Sequence, residues 1–191
     1  MKSTRKFFLL LWLTATANIA TAQTPGWNLD TARTTVGFSI GAMFSKTDGK
    51  FTSFSGTLQT GSSSDSANFE DASVSVTIAV ASIETGIGLR DEHLRGGDYF
   101  DAEKFPLIAF RSTRFKLTGE KTYSVRGYLT VKGITRETDL TATLIKRSDT
   151  HVIFKATGNL DRAAYRVGAG GIGLGREVEL TFTAEFVKPN K

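Results

Sequence analysis

The stretch Thr122–Val131 (TYSVRGYLTV) puts Tyr123, Val125, Gly127, Leu129 and Val131 at every second position. Ser124, Arg126, Tyr128 and Thr130 fill the places between them. Successive side chains of a β-strand point to opposite faces, so a period of two with one apolar face reads as a half-buried strand. The same alternation recurs on both sides of this segment. Val74, Val76, Ile78 and Val80 alternate with small polar residues, as do Leu140, Ala142 and Leu144. Val152, Phe154 and Ala156 continue it, and Val178, Leu180, Phe182, Ala184 and Phe186 alternate with Glu177, Glu179, Thr181, Thr183 and Glu185.

Worked outward, the pattern predicts eight strands, over residues 33–43, 50–59, 72–82, 106–117, 122–132, 137–147, 151–161 and 176–187. Lys46-Thr47-Asp48-Gly49, Thr118-Gly119-Glu120-Lys121, Lys132-Gly133 and Ser148-Asp149 carry turn chemistry. Gly61 to Ser66 opens a longer polar connection. Short links imply antiparallel neighbours, because a parallel crossover needs a dozen or more residues. One segment breaks the alternation. Within Ile87–Glu103, Leu89 to Arg95 suits a short helix ending at Gly96-Gly97, between the third and fourth predicted strands. Antiparallel strands with one apolar face pack as a sandwich or close as a barrel, and eight up-and-down strands favour the barrel. Gly127, Ala142, Ala156, Gly158 and Ala184 leave gaps on the inward face. These gaps either complement large phenylalanines or open an apolar tunnel.

The chain has 191 residues, 40% hydrophobic and 23% charged, which is the composition of one globular domain. Cysteine is absent and histidine occurs twice, as His93 and His151. That excludes disulfides, thiolate metal sites, a cysteine nucleophile and a His-rich metal cage. Residues 1–22 have the form of a secretory signal. Lys2, Arg5 and Lys6 precede an apolar run from Phe7 to Leu13, and Ala20-Thr21-Ala22 gives a cleavage site before Gln23. A membrane span would need about 20 apolar residues. The expected mature domain is therefore 23–191, periplasmic or secreted. The signal holds 3 of the 24 basic residues and none of the 19 acidic ones, so the net charge falls from +5 to 21 − 19 = +2. No basic stripe remains to follow a phosphate backbone, and no nucleic-acid partner is expected.

Several short motifs, in order, carry a resemblance. Trp27-Asn28-Leu29-Asp30 precedes Thr35 to Ile40, and Gly49-Lys50-Phe51-Thr52-Ser53-Phe54-Ser55-Gly56 follows. Ser82 to Gly86 leads into Arg90-Asp91-Glu92-His93-Leu94-Arg95, then Asp98-Tyr99-Phe100-Asp101 and Lys104-Phe105-Pro106. Gly127-Tyr128-Leu129-Thr130-Val131-Lys132-Gly133-Ile134-Thr135 completes the set. Across the mature chain this order resembles the YceI-like family of periplasmic polyisoprenoid-binding proteins. Two stretches depart from the family pattern: Gly41 to Lys46 lacks a histidine that many relatives carry, and Gly168 to Gly175 is unusually glycine-rich.

The resemblance implies an all-β, eight-stranded antiparallel lipocalin-like barrel. It implies a pocket for a polyisoprenoid tail, quinone or polyprenyl, or a similar long-chain lipid. No other cofactor and no metal is implied. On that implication the lining residues are expected among Phe38, Ile40, Val76, Ile78, Phe110, Leu129, Val131, Leu144, Phe154, Phe182 and Phe186. Which of them line a cavity and which plug the barrel stays open, as does a fully packed centre.

His93 has two readings: a head-group contact on a lid helix, or part of a framework in which Arg90, Asp91 and Arg95 pair with loop carboxylates. Gly168 to Gly173 spells G-x-G-x-x-G, but a strand follows it rather than a helix, so a mobile mouth loop is expected instead of a nucleotide site. No G-x-S-x-G elbow occurs, and no catalytic residue is expected. Lipid carriage is therefore the leading reading. A ligand-free structural or stress-response envelope protein is the alternative, and a lipid hydrolase ranks third. The chain is expected to be a monomer or homodimer that touches membranes transiently.

Overall fold

The structure is a computed structural model, and it describes residues 26–42, 45–60, 69–168 and 173–189. The expected signal segment, Met43-Phe44, Gly61 to Ser66 and residues 169–172 of the glycine-rich stretch lie outside the described residues.

Among the described residues eleven strands form an antiparallel sheet that closes on itself, and one α-helix packs against it. They are β1 (Gly26–Leu29), β2 (Thr35–Ala42), β3 (Ser45–Phe51), β4 (Phe54–Gln59), β5 (Ser73–Ala79), β6 (Ile83–Glu84), α1 (Gly88–Arg95), β7 (Leu107–Leu117), β8 (Thr122–Val131), β9 (Ile134–Arg147), β10 (His151–Asp161) and β11 (Leu174–Val187). The ring runs β1-β4-β5-β7-β8-β9-β10-β11 and returns to β1, an eight-stranded barrel. The three remaining strands extend it at one end. β2 continues β1 along β11, β3 continues β4 along β2, and β6 pairs with the last two residues of β3. The end built from β2, β3 and β6 is called upper below.

Three pairs of strands are thus single barrel staves with a kink. The first kink, at residues 30–34, is held in line by β11. Asp30 N donates to Glu185 O at 2.8 Å, Glu185 N donates to Thr34 Oγ1 at 3.1 Å, and Arg33 Nη1 donates to Glu185 Oε1 at 3.0 Å. The second kink is Thr52-Ser53, and the third is a 3-10 turn at Val80–Ser82.

Four sequence expectations change. Lys46-Thr47-Asp48-Gly49 is not a turn but the middle of β3, paired residue by residue with Gly41 to Phe38. The expected strand over 50–59 breaks at Thr52-Ser53. The one over 72–82 ends at Ala79. Helix α1 lies after the sixth strand rather than between a third and a fourth, because β1 and β6 are too short to show an alternation and β3 carries turn chemistry in its middle.

Elsewhere the turns are as the sequence reads. Lys132 and Gly133 both have positive φ (49° and 72°) and join Val131 to its partner Ile134. Two left-handed residues twist a hairpin in the same sense as its strands. A side chain at Gly133 would also sit 2.6 Å from the Phe105 ring.

Two apolar clusters occupy the barrel. The lower one is aromatic: Phe69, Phe115, Tyr123 and Phe154 meet with ring centroids 5.1 to 6.4 Å apart, beside Trp27, Leu58 and Phe186. The upper one joins Val36, Phe51, Ile78, Ile83, Ile108 and Tyr165 with side chains from α1 and the following loop.

Candidate functional site: an axial apolar cavity

Along its axis the barrel is hollow, and residues of both clusters wall the space. An inner chamber of about 120 Å³ sits above the aromatic plug, and its polar lining residues are three threonines, Thr34, Thr35 and Thr138. An outer chamber of about 480 Å³ continues from it towards α1. Val36, Ile78, Leu129, Leu180 and Phe182 line both, so they form the collar where the chambers meet. Together the chambers fall in the size range of small-molecule sites, about 300–1,000 Å³.

The strand period decides which residues line this space. In β8, Tyr123, Val125, Gly127, Leu129 and Val131 are all buried, and the even-numbered residues between them are half-buried or exposed. Val125 reaches the inner chamber, Leu129 the collar and Val131 the outer chamber. The same order appears on β11, where Ala184 and Phe186 face the inner chamber, Phe182 the collar and Val178 the outer chamber.

Of the twelve residues expected at a ligand site, Val76, Phe110, Phe154 and Phe186 line the inner chamber. Ile78, Leu129 and Phe182 are in the collar, and Phe38, Ile40, Val131 and His93 line the outer chamber. Leu144 lines neither: it packs against the lower cluster and belongs to the plug. The gap residues divide. Ala142, Ala156 and Ala184 face the inner chamber. Gly127 and Gly158 are packing complements, with Phe110 and Leu140 respectively in the space a side chain would need.

Sequence reasoning missed Phe69, an aromatic of the plug that is 1% exposed. It follows a polar connection and has no periodic neighbours; an isolated aromatic there was the only available signal.

Helix α1 stands at the mouth. Its start has no side-chain cap, and its polar residues tie it down. Asp91, buried, accepts from Thr85 N at 2.8 Å and Thr85 Oγ1 at 2.5 Å. Arg90 donates to Thr85 Oγ1 and Thr85 O, both at 2.7 Å. Arg95 donates to Ala81 O at 2.9 Å and Ile83 O at 3.0 Å. The framework expected around His93 therefore exists, but its partners are a threonine and backbone carbonyls rather than loop carboxylates. His93 itself is exposed on the mouth side of the helix. Leu89, 73% exposed, and Ile87, 53% exposed, also line the outer chamber, which places its opening beside them.

Across the mouth, Arg162 is buried in the turn after β10. It donates to the carbonyls of Gly175 (2.7 Å), Val167 (2.8 Å), Leu174 (2.9 Å) and Gly168. These bonds close the loop that holds the glycine-rich stretch, whose centre lies outside the described residues. Among the described residues no group of three or more His, Asp or Glu is placed to hold a metal ion.

Comparison with known proteins agrees with this architecture. The family model for a YceI-like domain matches residues 27–186. A UPF0312 protein of Photorhabdus laumondii is 38% identical over 142 residues, 71% of each chain. One from Vibrio parahaemolyticus is 31% identical over 127 residues, 65% of each chain. Among solved structures, BcnA of Burkholderia cenocepacia superposes with a TM-score of 0.76 at 27% identity, over 82% of this chain and 98% of that one. A Saccharophagus degradans domain described as polyisoprenoid binding superposes with a TM-score of 0.70 at 16% identity, over 85% of this chain and 98% of that one. At that identity the likeness is one of fold.

Proposed function

The chain belongs to the YceI-like family, and from that premise we propose that it is a lipid-binding protein that takes a polyisoprenoid or similar long-chain tail along the barrel axis, in the manner of a lipocalin. The observation that carries this reading is the pair of abutting chambers, blind at the aromatic plug and open beside α1. A linear apolar tail is the ligand such a shape accommodates. Burial contributes about 25 cal/mol per Å² of apolar surface, so roughly 400 Å² of tail yields about 10 kcal/mol before the entropic costs of binding.

That attraction is non-directional, so tail length is selected by the depth of the inner chamber rather than by chemistry. Binding needs no catalytic residue, and the role is carriage or sequestration of the lipid. Residues 1–22, with a basic start, an apolar run and a closing A-x-A site, support action outside the cytoplasm, in the periplasm. Contact with a membrane is then brief, made to load or release the lipid. Polyprenyl chains and the side chains of isoprenoid quinones both fit the description.

The test is a titration of the protein with prenyl alcohols of increasing length, alongside Ala156→Phe, which fills the inner chamber. Expected is an affinity that rises with length until the chambers are full, and a shorter optimum in the variant. Affinity independent of length, with the variant indistinguishable from the parent protein, contradicts the axial site.

A further inference from the structure

The outer wall of the barrel is electrically uneven. Strands β4, β5 and β7 are neighbours in the sheet and contain no aspartate or glutamate. On the opposite side of the ring, β10 and β11 carry Asp161, Glu177, Glu179 and Glu185. The cations of the first wall sit on one strand: Arg111, Arg114 and Lys116, all exposed on β7. A bulge between Ser112 and Arg114 turns Phe115 inward to the plug and Arg114 outward. With the bulge counted as one position, successive cations are two strand steps apart, about 7 Å.

Among the described residues no carboxylate lies within salt-bridge distance of Arg111, Arg114 or Lys116. The β7 side chains that do form hydrogen bonds there are Ser112, which accepts from Val74 N, and Thr113, which donates to Arg126 O. Arg114 is also paired in direct register with Arg126 of β8. Like charges directly opposite each other on a sheet are destabilising. Asp139 and Glu137 draw the Arg126 charge towards β9, away from Arg114. Glu70 and Asp71 stand at the lower edge of the wall, where Asp71 N donates to Phe115 O. Across the middle of the wall the register lines up Thr57, Ser75, Arg111 and Tyr128, one from each of β4, β5, β7 and β8. Tyr128 is 53% exposed.

We propose that this wall binds an acidic polysaccharide, a chain of sugar rings bearing carboxylates, on the outside of the barrel. The planar donors of Arg111 and Arg114 match carboxylate oxygens. The Tyr128 ring offers an apolar face with a polar tip to a sugar ring, and Thr57 and Ser75 offer hydroxyls to its hydroxyls. An acidic peptide would answer the charges but would leave the ring and the hydroxyl row unused. Each exposed ion pair is weak, so affinity comes from several contacts made at once and grows with chain length. The site is separate from the chambers and stands independently of the lipid reading.

Calorimetric titration of the whole protein with oligomannuronates of increasing length tests this, beside the same polymer with its carboxylates esterified, neutral dextran and poly-glutamate. Affinity is expected to rise ten-fold or more from the disaccharide to the longest oligomer and to fall with added salt. The ester and dextran are expected to give no signal. Arg111→Gln combined with Arg114→Gln is expected to cut the affinity for the longest oligomer ten-fold or more, and Tyr128→Ala several-fold. Lys155→Gln, an exposed cation on the opposite wall, is expected to change it less than two-fold. Arg114→Gln alone removes the like-charge pair, so its urea midpoint is expected at or above that of the parent, which separates lost binding from lost folding. Absence of binding, equal binding of the esterified polymer, or a loss with Lys155→Gln as large as with the arginine variants overturns the proposal. Poly-glutamate bound as tightly as the longest oligomannuronate assigns the wall to an acidic peptide and overturns it as well.

Discussion

At Gly127 the space a side chain would need is already taken. A Cβ there would stand 2.4 Å from Arg111 O, 2.7 Å from Phe110 Cζ and 2.8 Å from Ser112 Cα. Two of those are backbone atoms in the paired strand β7, which cannot step aside. Gly127→Ala is therefore expected to lower stability by about 1–3 kcal/mol, read from the urea midpoint, the range for overpacking a well-filled interior. An unchanged midpoint contradicts the close approach. Ala156 and Ala184, two strands that are neighbours in the barrel, face open space instead. From sequence all of these small residues look alike, because alternation reports the face and not the distance to the opposite wall.

Charge at single residues on the outside acts weakly. Asp161 lies below its ordinary pKa because Arg176 donates a hydrogen bond to it, and Asp139 does so beside Arg126. A carboxyl depressed in the folded state stabilises the protein above its unfolded value, near 3.9, and that contribution is lost as pH falls through the folded value. Both pairs are exposed, so the effect is small. Arg176→Gln is expected to show a slightly lower urea midpoint than the parent at pH 7, with the difference vanishing towards pH 2.5. A difference that grows on acidification contradicts the pairing.

Among the elements, α1 depends most on its surroundings. An isolated helix shorter than about 12–15 residues is marginal in water, and this one has eight residues and no side-chain N-cap. The bonds from Asp91 to Thr85 and from Arg95 to Ala81 and Ile83 hold it across the mouth. Asp91→Ala is expected to raise amide hydrogen exchange over residues 88–95 at least ten-fold, with β8 and β9 unaffected, since losing a buried hydrogen-bonded acceptor costs about 1–3 kcal/mol. Uniform exchange changes across the barrel contradict a locally held lid.

The elements also show what could be read in the sequence. β5 and β7 to β11 were legible because each is long enough to repeat the alternation several times. β3 was not. Its Asp48-Gly49 pair has turn chemistry, but Asp48 instead accepts a hydrogen bond from Ser39 Oγ at 2.6 Å, and Gly49 makes room for the Phe38 ring across the strand pair. Cross-strand pairing overrode local preference there. β1, with four residues, and β6, with two, are strands only because neighbours of the barrel hold them. The site was legible as a face of residues. Its division into plug, inner chamber, collar and outer chamber was not, because depth along the axis depends on strand tilt and register.

For the molecule as a whole, closure of the sheet creates an interior with one blind end and one covered mouth. The aromatic plug packs the lower end of the barrel with the protein's own side chains, and the chambers lie above it. Packed core and open cavity are thus separated along one axis. The measurement that tests this most directly is mass spectrometry of the lipid extracted from the purified protein. A long isoprenoid or similar tail at near one per chain is expected, and substantially less of it should accompany Ala156→Phe. A parent protein that carries no lipid and takes up none from a membrane extract would contradict the account.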